Sequence, residues 1–376
     1  MKLTIHKETI TEALKKVTRV LASNSAIPIL NGVLLEVSNK EVLLTASNST
    51  ETIRQTITVD NVSVDVIEPG KIVIPKPVID IVKKCNKDIN FSLNGYSLNV
   101  VSGKKTFDFT CLDATDYPKF PDIDLSKPSF VLEGHTFHQL IRKTAYAASN
   151  SETRPILTGV CFELAEGNCS MICTDSHRLG RVIQPAASEE KLKIVVPAKA
   201  FDTMTKVFDF GQDVEMFIEN DLHILIKNNS TTFLSRLLEG TYPDCNRLIP
   251  STNSSVMTIN REALFDAIDT LKDIASQSDT SKDTGVVKLN VNGVATFSTA
   301  NNQKGKGTIE IPYENLEGED DFTVSFNCKY ALDALKSLDS DVVEVSFNGG
   351  MRPFLMGPTG DADLEEVHLI LPVRTV

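Results

Sequence analysis

The hexapeptide PILTGV at residues 155–160 decides the architecture, because a near copy, PILNGV, stands at residues 28–33. In both places a segment with helical periodicity comes before the hexapeptide, and a run of β-type residues follows it. Because the flanks match as well, the agreement is more than a chance match of six residues. The repetition therefore indicates that the chain is built from related modules.

Working outward from the hexapeptides, the same order of segments occurs three times, with two strand–helix–strands units in each copy. Proline-containing breaks at Asp116–Pro118 and Thr241–Pro243 close the first two copies. Thr9 and Asn260 have side chains suited to capping the first helix of the first and third copies. We therefore predict an α+β fold of three similar domains, each with two helices packed on antiparallel sheets: 1–127, 128–253 and 254–376.

The composition is that of an ordinary globular protein, with 41% hydrophobic and 23% charged residues. The sequence shows no secretory signal and no apolar stretch long enough to span a bilayer, so we expect a cytoplasmic protein without a membrane partner. Seven scattered cysteines, an odd number, favour reduced thiols. The net charge of −12 argues against a surface coated in nucleic acid, although a local basic surface is compatible with it.

Basic residues are concentrated on the polar faces of the predicted helices. The first helix places apolar residues of the segment Ile10–Leu21 at spacings of four, three and four, with Lys15, Lys16 and Arg19 on its other faces. A solvated surface is the simpler interpretation of any one such helix. Most copies nevertheless carry Lys or Arg on the outward helix face, which makes a common polyanionic ligand a second hypothesis.

No motif for catalysis or cofactor binding is complete. Gly103–Thr106 resembles the end of a phosphate-binding loop, but Lys105 stands where Ser or Thr should be, and Leu98 replaces the upstream Gly. Cys169 and Cys173 have no second pair at zinc spacing. Asp175–His177 contains an acid and a base, but members of a catalytic triad come from separate elements. We therefore predict no catalytic residue, no metal site and no cofactor.

Four stretches carry a resemblance to a known family: the doubled hexapeptide, TDSHRL at 174–179, EGTYPD at 239–244 and LILPVR at 369–374. Over its whole length the chain closely resembles the bacterial sliding clamp, the beta subunit of DNA polymerase III. The resemblance implies the DNA clamp fold and a head-to-tail homodimer that closes as a ring of six similar domains, with helices inside and strands outside. It also implies a non-catalytic processivity factor that encircles duplex DNA and tethers the replicative polymerase.

The resemblance and the basic helix faces together predict that one set of Lys and Arg residues contacts DNA phosphates without reading the base sequence. The first helix of the third domain departs from this trend, because Asp266, Asp269 and Asp273 outnumber Lys272. The loop Ser23–Ser25 also lacks the basic residue that family members often carry there. The predicted DNA-facing residues are Lys15, Lys16, Arg19, Lys83, Lys84, Lys87, Arg142, Lys143, Lys199, Lys206, Lys329 and Lys336.

The resemblance implies a second site, a groove that binds short hydrophobic peptides of partner proteins. Apolar walls suit burial of a Leu or Phe anchor, although the simpler interpretation of the aliphatic members is that they are core. Ser176 stands where the family often has Gly, and the tail lacks the frequent Met. Carried over position by position, the groove consists of Leu157, Thr174, Ser176, His177, Arg178, Leu179, Pro243, Arg247, Leu248, Tyr330, Leu369, Leu371, Pro372, Val373 and Arg374.

For the ring contact we predict that the end of the first domain around Phe107 meets the third-domain helix around Leu271 and Ile274. The implied partners are double-stranded DNA, the polymerase alpha subunit, the clamp loader, and other polymerases and repair factors with clamp-binding motifs. The expected location is the cytoplasm, in association with the nucleoid.

Three alternatives stand beside this interpretation. The first is a diverged clamp paralogue that serves repair or the replication of a mobile element. The second, from a different class, is a hydrolase that uses Asp175 and His177. The third is a scaffold protein that does not act on DNA.

Overall fold

The computed structural model of the protein describes residues 1–21, 26–121, 123–186, 191–219, 222–275, 285–301, 303–360 and 364–374. The loop Ser23–Ser25 lies outside these residues. The chain forms two compact units: unit 1 is Met1–His138 with Lys199–Leu237, and unit 2 is Gln139–Ala198 with Leu238–Val376.

Within the described ranges the helices are α1 (Lys7–Val17), α2 (Lys76–Lys83), α3 (Gly134–Thr144), α4 (Ala198–Met204), α5 (Arg261–Ala275) and α6 (Cys328–Ser337). The first strands are β1 (Lys2–Ile5), β2 (Gly32–Val37), β3 (Glu41–Ser47), β4 (Glu51–Thr58), β5 (Val64–Glu68), β6 (Gly70–Pro75), β7 (Ile89–Asn94), β8 (Ser97–Ser102), β9 (Lys105–Thr110) and β10 (Phe130–Leu132). The next are β11 (Gly159–Ala165), β12 (Asn168–Thr174), β13 (Arg178–Pro185), β14 (Leu192–Pro197), β15 (Val214–Glu219), β16 (His223–Asn228), β17 (Thr231–Arg236) and β18 (Ser255–Asn260). The last are β19 (Val286–Asn292), β20 (Ala295–Asn301), β21 (Gly305–Ile311), β22 (Asn315–Gly318), β23 (Asp321–Asn327), β24 (Val342–Phe347), β25 (Phe354–Pro358) and β26 (Glu365–Ile370).

Each unit contains two antiparallel sheets. In unit 1 a five-stranded sheet has the order β5-β1-β7-β8-β9, and an eight-stranded sheet has the order β10-β15-β16-β17-β4-β3-β2-β6. In unit 2 a nine-stranded sheet has the order β14-β11-β12-β13-β26-β25-β24-β18-β22, and a four-stranded sheet has the order β21-β20-β19-β23. Together with the six helices, these sheets confirm the predicted α+β class.

Two sheets continue across the domain boundaries that the sequence repeat predicts. In unit 1, β17 pairs with β4 from Thr231↔Gln55 to Ser235↔Glu51. In unit 2, β13 pairs with β26 from Arg178↔Ile370 to Ile183↔Glu365. Strands from successive sequence repeats therefore share one hydrogen-bonded sheet, and these two strand junctions place the side chains that matter for function.

The helices pack on the sheets with the faces that their periodicity predicts, because burial of the apolar stripe stabilises each helix. Asn260 caps α5, and its Oδ1 accepts a hydrogen bond from the Ala263 N–H at 2.9 Å. The predicted cap at Thr9 is wrong, because α1 begins at Lys7 and Thr9 lies inside its first turn. Buried apolar residues on these helices include Ile10, Leu14, Val17, Val78, Val82, Leu264, Ile268, Leu271, Leu332 and Leu335.

Candidate functional site

The turn between β12 and β13 in unit 2 is built around the carboxylate of Asp175. Its Oδ1 accepts hydrogen bonds from the backbone N–H groups of His177 (2.8 Å) and Arg178 (3.0 Å). Ser176 has φ +78°, the left-handed region that Gly adopts without strain. The turn leaves Ser176 and His177 exposed. Asp175 therefore caps backbone amides instead of orienting the His177 ring, which removes the geometric basis of the hydrolase alternative.

Arg178 follows this turn and is only 5% exposed. Its Nε donates to Asp175 Oδ2 at 3.0 Å, and one terminal nitrogen donates to Asp333 Oδ2 at 2.6 Å. Its Cζ lies 4.6 Å from the ring centroid of Tyr330 and 5.4 Å from that of Tyr146. Burial alone lowers the pKa of Arg178, but the Asp333 and Asp175 carboxylates raise the pKa above its ordinary value. The guanidinium is therefore charged and is paired inside the chain.

An apolar floor lies beside this turn. Leu157, Leu179 and Leu369 are each at most 5% exposed and belong to one cluster, which half-buried Leu371 contacts. Leu179 and Leu369 face each other across the β13–β26 pair. Tyr242 belongs to the same cluster, and its hydroxyl oxygen accepts a hydrogen bond from the Thr174 N–H at 3.0 Å. The floor thus combines side chains from segments far apart in the sequence.

The rim of the floor is formed by the C-terminal segment and by the turn after Tyr242. The Leu371 N–H donates to His177 O at 2.9 Å, and the Val373 N–H donates to Ser325 O at 2.7 Å. Pro372 and Val373 are half-buried, whereas Arg374 is exposed. On the other side, the predicted residues Pro243, Arg247 and Leu248 are exposed. Arg247 forms an ion pair with Asp244 at 2.8 Å.

These contacts join the leucine floor, the Asp175 turn and the segment Leu371–Val373 in unit 2. The floor members are core residues in the isolated chain, as the simpler interpretation held, while the rim members keep exposed surface. Thr174 belongs to the framework, since its Oγ1 donates to Arg178 O at 2.6 Å. Within the described ranges, the result is a cluster of buried leucines bordered by half-buried and exposed residues.

In unit 1 the predicted DNA-facing residues lie on helices or in the segments that directly follow them. Lys16 is half-buried, with its Nζ 3.9 Å from Glu12 Oε1 and 3.5 Å from Thr231 Oγ1. Lys84 lies at the end of α2 next to Lys105, whose Nζ donates to Lys84 O at 3.4 Å. The other predicted cations of this unit are all exposed: Lys15, Arg19, Lys83, Lys84, Lys87, Lys199 and Lys206.

In unit 2 fewer of the predicted cations are exposed to solvent. Arg142 donates to both carboxylate oxygens of Asp339 at 2.5 Å. Lys336 is exposed, with its Nζ 5.5 Å from the Phe265 ring centroid, and Lys329 is half-buried. The face of α5 that departs from the basic trend is acidic and exposed at Asp266, Asp269 and Asp273.

The prediction of a DNA-facing Lys143 is wrong. Its side chain is 3% exposed, and its Nζ lies 2.5 Å from Glu366 Oε2 and 3.1 Å from Asp339 Oδ2. A buried ammonium needs such partners, because desolvation of an unpaired charge is costly. Lys143 therefore neutralises a carboxylate of β26 in the interior of unit 2.

Glu366 continues this interior network to the groove. Its Oε1 lies 2.8 Å from Nε2 of His368, which is fully buried, and His368 Nδ1 lies 2.8 Å from the Tyr146 hydroxyl. Burial by itself raises the pKa of Glu366, but the hydrogen bond from His368 and the charge on Lys143 lower the pKa below its ordinary value. Because the carboxylate only accepts, His368 Nε2 is the donor to Glu366.

The residues of the predicted ring contact differ in exposure. Phe107 is half-buried on β9, the edge strand of the five-stranded sheet. Leu271 is 1% exposed in the core of its own unit, so the structure corrects its placement on a contact surface. Ile274 is half-buried and approaches Gly307 of β21, the edge strand of the four-stranded sheet.

The thiols offer no reactive group. All seven cysteines are free and buried, and burial raises the pKa of Cys161 to about 11 and that of Cys169 to about 12. Among the described residues no group of three or more His, Cys, Asp or Glu side chains is placed to hold a metal ion. In the same residues no helix has the length and apolarity needed to cross a membrane.

Sequence reasoning missed Tyr146, Asp333, Glu366 and His368. A signal exists for two of them. In β26 the ionisable residues Glu366 and His368 share one face with Ile370, and a charged residue on a buried strand face needs a partner. No comparable pattern marks Tyr146 or Asp333, whose roles arise from contacts between distant segments.

Three models of one family match successive parts of the chain. The N-terminal domain of the DNA polymerase III beta subunit matches residues 1–121, the central domain matches 131–244 and the C-terminal domain matches 246–374. The beta sliding clamp of Staphylococcus aureus is 34% identical over 384 residues, and that of Bacillus subtilis is 33% identical over 385; each match covers 100% of both chains.

Solved structures agree with the sequence comparisons. The beta chain of DNA polymerase III from Streptococcus pneumoniae superposes with a TM-score of 0.93 at 32% identity. The DNA polymerase sliding clamp of Bacillus subtilis gives a TM-score of 0.93 at 33% identity, and both matches cover 100% of each chain. The chain therefore belongs to the bacterial sliding clamp family, the beta subunits of DNA polymerase III.

Proposed function

We propose that two copies of this sliding clamp close head to tail around duplex DNA and hold partner peptides in a groove of unit 2. The observation that carries the proposal is the leucine cluster of unit 2, in which half-buried Leu371 packs beside buried Leu179 and Leu369. Burial of one Leu or Phe anchor from a partner contributes about 1.5–3 kcal/mol. Two anchors therefore account for the affinity of a short peptide without any catalytic chemistry.

The contact with DNA is proposed to be electrostatic and independent of sequence. Exposed cations such as Lys15 and Arg19 suit phosphate oxygens, which carry no base identity. Lys143 is withdrawn from the proposed set, and Arg142 contributes less than its formal charge because Asp339 neutralises it. Such contacts are weak and salt-dependent, so retention on DNA rests on the closed ring.

Ring closure is proposed to use the free edges of β9 and β21. A head-to-tail contact joins different surfaces of two copies and closes if its rotation allows. Phe107 on β9 and Ile274 behind β21 supply half-buried apolar surface. Exposed Lys105 lies on β9 and exposed Glu310 lies on β21, which offers one pair of opposite charges to the contact.

The role is proposed to be structural and not enzymatic, because polymerisation chemistry belongs to the tethered polymerase. The proposed partners are the polymerase alpha subunit, the clamp loader, and other polymerases and repair factors that carry clamp-binding peptides. The proposed location is the cytoplasm, on the nucleoid. No feature of the described residues favours a repair or mobile-element paralogue over the replicative role.

The groove is tested by the double variant Leu371→Ala with Val373→Ala. Because these residues form the rim and not the buried floor, we expect loss of peptide binding while the dimer persists. Calorimetry with a synthetic peptide that carries Leu and Phe anchors measures the first effect, and light scattering measures the second. Unchanged peptide affinity in the double variant would refute the groove.

A further inference from the structure

Arg178 stands in the groove, yet its polar contacts point into the chain. Both Asp175 and Asp333 bind its guanidinium, and the rings of Tyr330 and Tyr146 lie within 6 Å of its Cζ. At 5% exposure the side chain offers little surface to a peptide. Its backbone, in contrast, is part of the turn that carries His177, whose carbonyl accepts the Leu371 N–H.

The equivalent strand junction of unit 1 shows that this ion pair is not required for the junction to fold. The offset of 127 residues between the hexapeptides places Glu51 at the position of Arg178. Glu51 accepts a hydrogen bond from Thr203 at 3.4 Å, and burial raises its pKa. Asn48 caps that turn as Asp175 caps its counterpart, through backbone N–H groups at 2.7–2.8 Å. The strand pairing and the side-chain cap therefore form without an arginine, whereas the turns themselves differ, because Ser176 has φ +78° and its counterpart Ser49 does not adopt a positive φ.

We propose that Asp333 and Tyr146 are positioning residues of the peptide groove that act through Arg178. Asp333 holds the guanidinium from α6, and Tyr146 supports one of its faces. The fixed Arg178 keeps the Asp175–His177 turn in place, and the turn in turn fixes the rim at Leu371. The proposal rests on the peptide-binding function of the groove and names the residues that prepare the groove for its ligand.

Tyr146 is itself held in one orientation. The Tyr146 hydroxyl lies within hydrogen-bonding distance, 2.8 Å, of His368 Nδ1, and His368 is itself held by Glu366 through Nε2. Gly180 makes room for this arrangement, because a Cβ there would lie 2.9 Å from Lys143 O and 3.4 Å from Tyr146 Cε1. The hydroxyl and the ring of Tyr146 are therefore both held in place, and the neighbouring Gly180 has no room for a side chain.

A double-mutant cycle tests the proposal with the full-length protein and a synthetic peptide that carries Leu and Phe anchors. We expect Asp333→Asn to lower peptide affinity about tenfold, equivalent to ~1.4 kcal/mol. In an Arg178→Met background the same substitution is expected to have no effect, because its route of action has been removed. Asp341→Asn, an exposed aspartate of the same unit, is the matched control and is expected to leave affinity unchanged.

Tyr146 provides a second, independent arm. Tyr146→Leu removes the aromatic face and is expected to lower affinity more than Tyr146→Phe, which removes only the hydroxyl. Tyr313→Phe, at a half-buried tyrosine elsewhere in unit 2, serves as the control. If Arg178→Met fails to fold, Arg178→Gln provides the charge-free background for the same cycle.

These outcomes distinguish a failure of the peptide-binding function of the groove from a failure of the positioning role of Asp333. If the wild-type chain does not bind the peptide, the groove function itself fails. If the wild type binds and Asp333→Asn changes nothing, the positioning role is overturned. If Asp333→Asn weakens binding equally with and without Arg178, Asp333 acts by another route and the proposal is again overturned.

Discussion

The two strand junctions, β4–β17 in unit 1 and β13–β26 in unit 2, share their strand pairing and turn cap and differ in side chains. In both, a residue at the end of the second strand donates its N–H to a carbonyl of the turn: Arg236 to Thr50 at 3.0 Å, and Leu371 to His177 at 2.9 Å. The cross-strand pair beside it is Thr52–Leu234 in the first junction and Leu179–Leu369 in the second. The groove therefore arises because side chains of unit 2 differ from their counterparts in unit 1, on a strand pairing that both units share.

The interiors of the junctions differ in the same way. At the positions of Lys143 and Glu366, unit 1 has Lys16 and Thr231, whose hydrogen bond is 3.5 Å long. At the position of His368, unit 1 has Phe233, a fully buried aromatic residue. Unit 2 therefore has a charged network where unit 1 has the uncharged residues Thr231 and Phe233, which brings a desolvation cost and fixes Tyr146.

The largest effect that separates the junctions is expected for Glu366→Ala. The variant leaves Lys143 buried with Asp339, at 3.1 Å, as its remaining carboxylate, and we expect a loss of about 3 kcal/mol of stability, the lower end of the range for a broken buried pair. The matched change in unit 1, Thr231→Ala, removes a hydrogen bond of 2.7 Å to Gln55 Oε1 and a weak one from Lys16, and is expected to cost about 1 kcal/mol. Urea unfolding followed by circular dichroism measures both; equal losses would contradict the asymmetry.

A smaller effect is expected from acidification. The pKa of Glu366 is lowered in the folded chain, so its contribution to stability is present above the ordinary value of 4.5 and is lost as pH falls through the lowered pKa. Wild type is therefore expected to lose more stability than Glu366→Gln below about pH 4.5. Urea midpoints measured across this range provide the check, and parallel curves for the two proteins would count against it.

The smallest effect compares equivalent cations. Lys15 and Arg142 occupy the same repeat position, but Asp339 neutralises only Arg142. Lys15→Ala is expected to reduce the salt slope of binding to linear duplex by about 0.9, the value for one phosphate contact. Arg142→Ala is expected to change the slope less. Fluorescence anisotropy across a salt series measures the difference, and a larger change for Arg142→Ala would reverse the comparison.

Sequence periodicity predicted the repeat, the helices and most strands because each depends on neighbouring residues. It did not predict that sheets run across the repeats, since alternation gives the faces of a strand and not its partner. The contacts within the chain form two compact units. The division into three domains, which follows from the sequence repeat, remains our proposal. Family resemblance named the groove residues, several of which lie in one cluster, but it did not say which ones are buried, and the groove remains our proposal.

The errors have a common physical origin in contacts between distant residues. Lys143 looked like a surface cation on a helix, and only Glu366, 223 residues away, explains why it is buried. Leu271 lies on the helix chosen for the ring contact, but that helix turns this side chain toward its own sheet. Helical periodicity gives the direction of a side chain only when the packed face is known.

The central claim is that a closed ring, and not affinity, keeps the protein on DNA. It is tested most directly by loading the full-length protein onto nicked circular DNA with a clamp loader and then cutting the circle. The account predicts retention on the circle during gel filtration and release after linearisation, at a salt concentration that abolishes binding to linear duplex. Equal retention on circular and linear DNA, or no retention on the loaded circle, would contradict it.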